Sequence, residues 1–159
     1  MRNVYRKGAV GALMDEYERS AGEMRRLIER VSQDDFEKVV DPETTDAECR
    51  SIQTVMSHVV NSGYGYADHI RDFLSMPSDR PPRTLLSHRE CPERLDQMLA
   101  YTADTLEGRW GMTDEEIGAV VILSRWGVTY NLEQLLEHAI VHILRHRRQT
   151  EKFMKPDLT

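Results

Sequence analysis

Apolar side chains recur at helical spacing in the first half of the chain, in two long stretches separated by polar residues. The first stretch ends before Ser32 and carries Val10, Leu13, Met14, Tyr17, Ala21, Met24, Ile28 and Val31. The second runs from about Ser51 to Met76 and carries Ile52, Val55, Met56, Val59, Tyr66, Ile70, Phe73 and Leu74. Steps of three and four residues place such side chains on one face of a helix. Both stretches therefore predict amphipathic helices.

Two more helices are predicted in the second half of the chain. The third begins near Pro92, a residue type favoured in a first helical turn. Its predicted inner face is formed by Leu95, Met98, Leu99, Thr102 and Leu106. The fourth begins after Asn131, a good N-cap residue, and Gln134 completes a capping box with it. This helix is predicted to continue to about Lys155, because Pro156 follows.

The segments between the helices complete the fold prediction. Pro77, Pro81 and Pro82 stop the second helix and predict a long connector. Residues 113–130 include the run GAVVILSRWGVTY, which is rich in β-branched residues and lacks a helical period. We expect an extended segment or a short strand there, not a sheet. Four amphipathic helices bury their apolar faces against one another. We therefore predict an all-α protein, an antiparallel four-helix bundle that forms one domain over residues 1–159.

Composition and charge exclude several classes of function. The chain is 40% hydrophobic and 30% charged, as expected of a globular protein, and it has no apolar run long enough to span a membrane. No secretory signal is recognisable. The net charge of −6 argues against nucleic-acid binding, and the cluster Arg145, Arg147 and Arg148 reads as a solvated helix face. Two cysteines without a paired spacing, Cys49 and Cys91, suit a cytoplasmic location.

Cys91 requires separate consideration because it stands at a predicted helix start, where the helix dipole can lower the pKa of a thiol. Two interpretations stay open, a small capping residue or a nucleophile. The first is favoured, since no base is identifiable beside Cys91.

Three of the six histidines lie on one stripe of the fourth helix: His138, His142 and His146. Imidazoles four residues apart can converge on one ion, but the outer two are about 12 Å apart along the helix. The ligand pair is therefore either His138 with His142 or His142 with His146. The apolar face of the helix is centred on Leu132, Leu136, Ala139 and Ile143. On a helical wheel His138 lies farthest from this face and His146 lies closest, which favours His142 and His146.

His58, on the second helix, offers a third ligand at the border of the apolar face. Ser62 and Gly65 lie on the same stripe and leave room for an ion and a bound molecule. His69 is three turns away from His58 and cannot serve the same ion. His88 lies in the connector and carries no signal. Histidines at such borders also occur as packing residues, so the spacing alone leaves both interpretations open.

Three motifs resemble the DinB-like superfamily of metal-binding four-helix bundles. They are SIQTVMSHVV in the second helix, SRWGVTYNLEQLL before the fourth, and HAIVHILRHRRQ within the fourth. The resemblance covers nearly the whole chain. It implies a metal site made of His58, His142 and His146, followed by a glutamine at the position of Gln149. The family often has Arg-Gly-Gln after the last histidine, where this chain has Arg-Arg-Gln.

The resemblance implies a divalent metal ion, with zinc or nickel expected from the imidazole ligands. Related proteins include thiol-dependent S-transferases, which activate a low-molecular-weight thiol as a metal thiolate, and a mycothiol-dependent isomerase. Others are described as metal-dependent hydrolases, and a third alternative is a non-catalytic metal-binding or stress-response protein. We expect a small-molecule substrate, no nucleic-acid or membrane partner, and a homodimer by family habit.

A base or an anion-binding group near the metal would discriminate between these functions. The candidates are Asn61 and Ser62, one turn from His58, and Arg145 near His142. Asp15 and Asp104 could reach the site from the other helices. Trp126 and Tyr130 are expected either to line a substrate pocket or, more commonly for aromatic residues, to belong to the core.

Overall fold

Helices make up most of the chain, and four of them are long. A computed structural model describes residues 5–155. The elements follow in the order α1 (Gly8–Ile28), α2 (Gln33–Glu37), a 3-10 turn (Ala47–Cys49), α3 (Ile52–Phe73), α4 (Cys91–Leu106), α5 (Asp114–Ala119), β1 (Ile122–Leu123), β2 (Thr129–Tyr130) and α6 (Leu132–Met154). The predicted all-α character is confirmed, with one very small sheet added.

The four long helices pack around one hydrophobic core. α1 and α3 each contact both α4 and α6. The apolar stripes predicted for α1, α4 and α6 line this core, and the central members Met14, Met98 and Leu136 are buried. The prediction for α3 is also confirmed except at its end, where the helix stops at Phe73 and this side chain is exposed. Asn131 and Gln134 form the predicted reciprocal capping box at the start of α6.

The segment before α6 is more ordered than its sequence predicted. Thr113 and Glu116 form a capping box that starts the short helix α5. β1 and β2 then pair antiparallel, so the expectation that no sheet forms was wrong. Ser124 closes the hairpin through its backbone and hydroxyl bonds to Val128, and Gly127 adopts a positive φ of 81° in the turn. Glycine favours this backbone region, which lets a short loop reverse the chain.

The long connector between α3 and α4 lies along α3 and is bound by its side chains. The buried Arg71 donates to the Pro77 carbonyl oxygen and to Asp79, which fixes the beginning of the connector. Near its end, Gln53 donates to the Leu86 carbonyl oxygen, and the Ser57 hydroxyl accepts from the Leu86 amide. These bonds satisfy backbone groups that a loop packed against a helix would otherwise leave unpaired. The connector therefore forms a fixed wall beside α3.

Within the described part of the chain, none of the helices has both the length and the apolar character needed to cross a lipid bilayer.

The Met98 side chain of α4 packs directly against Gly63 of α3. A Cβ atom at Gly63 would overlap the Sδ, Cγ and Cε atoms of Met98, whose side chain is fully buried. At Gly65, two residues further along α3, the nearest side-chain atom to an added Cβ is the Arg80 Nη1, at 3.8 Å. The two glycines thus share a helix but differ in the space around them.

We expect Gly63→Ala to lower the free energy of unfolding by about 1–3 kcal/mol relative to Gly65→Ala, because only the first overpacks the core. Both substitutions gain the same helix propensity, about 1 kcal/mol, so their difference isolates the packing cost. Urea unfolding of the two variants measures it. Equal stability of the two variants would contradict this account of the α3–α4 contact.

Candidate metal centre

Three histidine side chains converge where α3 packs against α6. One nitrogen of each ring of His58, His142 and His146 lies within 4.8 Å of the other two. His58 Nε2 and His142 Nε2 are 2.9 Å apart. The ring centroids are 4.5 to 5.0 Å apart. The structure therefore brings together the three histidines that the sequence singled out, and their nitrogens form a cluster that could hold a metal ion.

Two of the three imidazoles are held by a partner at the nitrogen away from the cluster. His58 Nδ1 lies 2.7 Å from the Glu48 carboxylate, and His146 Nδ1 lies 2.9 Å from the Gln149 Oε1. An oxygen acceptor at Nδ1 keeps the ring proton there, so Nε2 carries only a lone pair. This arrangement, in which an outer partner fixes the tautomer and orientation of the ring, is typical of metal-binding histidines.

The Glu48 carboxylate is itself fixed. It belongs to the 3-10 turn, where the Glu48 amide donates to the Asp46 side chain, and the turn packs against α3. Arg83, from the connector, forms an ion pair with the carboxylate oxygen that does not face His58. Each oxygen of the Glu48 carboxylate thus has a partner, and the carboxylate orients the ring of His58.

Burial keeps the three imidazoles neutral. It lowers the pKa of His58, and it also lowers the pKa of His146, where the Gln149 hydrogen bond opposes the effect. The pKa of His142 falls to about 3, first through burial and then through the neighbouring His146 and His58. Neutral rings with available lone pairs are the form that binds divalent ions. The donor set therefore fits a divalent transition metal.

His142 is the most deeply buried of the three, which corrects the order read from the helical wheel. The wheel placed His146 innermost, whereas in the structure the rings of His58 and Tyr66 cover His142 from α3. The wheel was right about His138, which lies outside the cluster.

A cavity of about 420 Å³ opens beside His58 and His142. α3 contributes Asn61, Ser62, Gly65, Tyr66 and His69 to its wall, in agreement with the predicted roles of Ser62 and Gly65 in leaving space. The connector contributes Arg80, and the hairpin contributes Arg125 and Trp126. An ion held by the three histidines would therefore lie next to a space that accepts a small molecule.

One wall of the cavity is a chain of aromatic residues. Trp126 Nε1 donates to the Tyr130 hydroxyl over 3.1 Å, and this hydroxyl lies 3.4 Å from His138 Nδ1. The indole ring of Trp126 also stacks on the ring of His138, at 5.5 Å and 23°. Since an indole N–H only donates, the Tyr130 proton is available to His138. Trp126 is thus a half-exposed wall residue, not the core residue that is more common for aromatics.

The remaining candidates lie elsewhere or are inert. Cys91 is buried, and burial raises its pKa to about 12, so it is not a reactive thiol. Asp15 pairs with Arg6, and Asp104 pairs with Arg71, both away from the histidine cluster. Arg145 is exposed and does not line the cavity, although its charge contributes to lowering the pKa of His142.

His69 and His88 stay outside the histidine cluster, as the sequence predicted. His69 lines the same cavity. His88 bonds to the Ile28 carbonyl oxygen, over 3.1 Å, and packs on Phe36.

Sequence reasoning missed the groups that surround the site. Glu48, Arg80, Arg83 and Arg125 come from turns and connectors, where no periodic pattern indicates which way a side chain faces. For Glu48, the sequence does contain a pattern that indicates its position. Asp46 is followed two residues later by Glu48 just before the Ser51 N-cap, so Glu48 is held one short turn ahead of the helix that carries His58.

A family model described as the DinB family matches residues 3–155. No curated protein and no solved structure shows a significant match to the chain.

We expect Glu48→Ala to weaken zinc binding about 10- to 100-fold, because His58 would lose the partner that fixes its tautomer and orientation. Glu43→Ala, an exposed carboxylate in the same loop, is the matched control for loss of charge. Competition with a chromophoric chelator measures both affinities. Zinc affinities that are the same in the two variants would show that Glu48 does not orient His58.

Proposed function

The chain belongs to the DinB family, and on this premise we propose that it binds a divalent metal ion and transfers a low-molecular-weight thiol to an electrophile. The observation that carries the proposal is the convergence of three neutral imidazoles beside an open cavity. Three protein ligands and an adjacent space are typical of catalytic sites, whereas structural sites are closed by a fourth protein ligand. The antiparallel bundle of one domain, expected for such a protein, belongs to the same proposal.

His58, His142 and His146 would hold the ion, and zinc or nickel suits their nitrogens. When bound, such an ion acts as a Lewis acid and lowers the pKa of a thiol or water in contact with it. Glu48 and Gln149 keep the rings of His58 and His146 turned toward the ion. These five residues come from α3 and α6, which are anchored in the core, and from the 3-10 turn, which packs against α3.

The transfer forms a bond between the thiol sulfur and an electrophilic carbon. The leaving group departs with the electron pair of the bond that breaks, and the thiol proton passes to solvent. The cavity contributes by holding both molecules close together, which converts an encounter in solution into a reaction within one complex. Trp126 and Tyr66 supply apolar ring surface for this purpose, and Asn61 and Ser62 supply polar groups.

The surroundings of the site favour a thiol over water as the nucleophile. Metal-assisted hydrolysis commonly uses a carboxylate to take a proton from the attacking water. Among the described residues, no carboxylate lines the cavity, and Glu48 is bound to His58 Nδ1 and Arg83. A thiol needs less assistance, because its pKa is already much lower than that of water.

Homodimer formation is also part of the proposal. Exposed apolar side chains lie on the hairpin and on α6, where a second copy of the chain would cover them: Val121, Leu123, Val128, Val141 and Leu144.

We expect the purified protein to carry about one divalent ion per chain and His142→Ala to lose it. The reason is that His142 is the deepest ligand and contacts both other rings. His138→Ala is the matched control, since it removes an imidazole of the same helix four residues away. Inductively coupled plasma mass spectrometry gives the metal content. Equal loss of metal in the two variants would overturn the choice of ligands.

We expect the metal-loaded protein to conjugate a low-molecular-weight thiol to a chromogenic aryl halide, and His142→Ala to abolish the reaction. A panel of thiols is assayed by absorbance, in parallel with chromogenic ester and amide substrates. Ester or amide turnover that His142→Ala abolishes, without any thiol conjugation, would replace the transferase by a metal-dependent hydrolase. Metal binding without turnover of any substrate would favour a non-catalytic metal-binding protein.

A further inference from the structure

The cavity beside the histidine cluster has a distinct charge. Its lining contains two arginines, Arg80 and Arg125, and none of the described residues that line it is acidic. This contrasts with the protein as a whole, which has a net charge of −6. Positive side chains concentrated in one concave surface of an acidic protein attract anions selectively to that surface.

The guanidinium of Arg80 is held in place by the buried carboxylate of Asp68. Its Nε lies 3.2 Å from the Asp68 Oδ2, and the other oxygen of this buried carboxylate accepts from the Tyr101 hydroxyl over 2.7 Å. Arg80 Nη1 makes a long bond of 3.4 Å to the Asn61 carbonyl oxygen. Within residues 5–155, the Nη2 group has no hydrogen-bond partner. The guanidinium is therefore oriented by its inner edge, while its outer edge retains donors for a ligand.

Arg125 reaches the same cavity from another segment of the chain, the turn of the hairpin. It is exposed and forms no ion pair with a described carboxylate. Its charge nevertheless acts inside the cavity, since it adds to the effect of burial in lowering the pKa of His69. Arg80 and Arg125 thus belong to different segments of the chain and act on one space.

The aromatic side chains that line the cavity indicate what kind of apolar group it can bind. Trp126 lies next to Arg125 and presents a half-exposed indole, and Tyr66 packs edge-on against it at 6.0 Å. Flat apolar surfaces of this kind bind planar groups by stacking. A cavity of about 420 Å³ suits a small molecule.

We propose that this cavity binds a small organic anion with a planar apolar body, and that Arg80 and Arg125 bind its carboxylate or other oxyanion. The planar body lies against Trp126. The proposal names the substrate class of the proposed function and rests on it only in taking this cavity as the place where substrate binds. The anionic group belongs either to the thiol or to the electrophile.

Benzenesulfonate is a suitable probe, because a sulfonate is a weak metal ligand and binding then reports on the arginines. Methyl phenyl sulfone has nearly the same shape without the charge. We expect the protein, with or without zinc, to bind benzenesulfonate at least about tenfold more tightly than the sulfone, as for a charge-assisted hydrogen bond. Isothermal titration calorimetry measures the affinities, and fluorescence quenching that is absent in Trp126→Phe locates the ring.

Arg125→Gln is expected to weaken benzenesulfonate binding about tenfold, while Arg89→Gln, which removes an exposed charge outside the cavity, leaves the affinity unchanged. Arg125 is exposed, so this variant does not disturb the core. Equal affinities for the sulfonate and the sulfone, or equal losses in the two arginine variants, would overturn the proposal.

Metal content is measured in the same samples, which separates the two proposals. A protein that binds zinc but not benzenesulfonate retains the proposed function and loses the anion subsite. A protein that binds benzenesulfonate at Arg125 without binding zinc retains the subsite and loses the proposed function. To assign the anionic group, conjugation rates are compared for thiols with and without a carboxylate, and for electrophiles with and without one.

Discussion

The contact between α3 and α6 is the constraint on which the site depends. Both helices bury an apolar face in the same core, and this burial fixes their rotation about their own axes. His58 on one helix and His142 with His146 on the other stand at the edges of these faces. The same packing that excludes water from the core therefore brings three imidazoles together and keeps them neutral. The core supplies most of the stability of a small domain. The apolar contacts of the core therefore offset the free energy that it costs to bring the three rings together and remove them from water.

Around this rigid contact, the irregular segments supply the polar chemistry. The 3-10 turn carries Glu48 to His58, the connector carries Arg83 to Glu48 and Arg80 to the cavity, and the hairpin carries Arg125 and Trp126 to the cavity wall. The connector is not free to move independently of the helices, since α3 binds it through Arg71, Ser57 and Gln53. The site thus combines helical histidines that could hold an ion with loop residues that line the cavity beside them.

The sequence predicted the helices, whose apolar residues recur at a regular spacing. It did not predict the turns and connectors, which have no such spacing. The helical period located four helices within a few residues, and the histidine spacing, the helical wheel and the family resemblance together pointed to His58, His142 and His146. The helical period did not predict how deeply each histidine is buried, because the burial of His142 depends on the side chains of α3 that pack over it. It also failed for Glu48, Arg80 and Arg125, whose orientation is decided by contacts with residues far away in the chain. The capping box at Thr113 and the glycine turn at Gly127 can be recognised in the sequence. The β-branched residues around them nevertheless indicated an extended segment, so the short helix and the hairpin were not predicted.

The separation of the histidine-bearing helices from a loop-built wall has a consequence for how this architecture diversifies. The hairpin turn contributes no residue to the histidine cluster, so a change in its length or sequence alters the shape and charge of the cavity while the ring nitrogens of the cluster stay in place. Such changes are tolerated well, because loops accept insertions and substitutions at little cost to the core. Proteins that share the same three-histidine frame can therefore differ in what the neighbouring cavity accepts through changes in one short segment, while the histidine cluster stays the same.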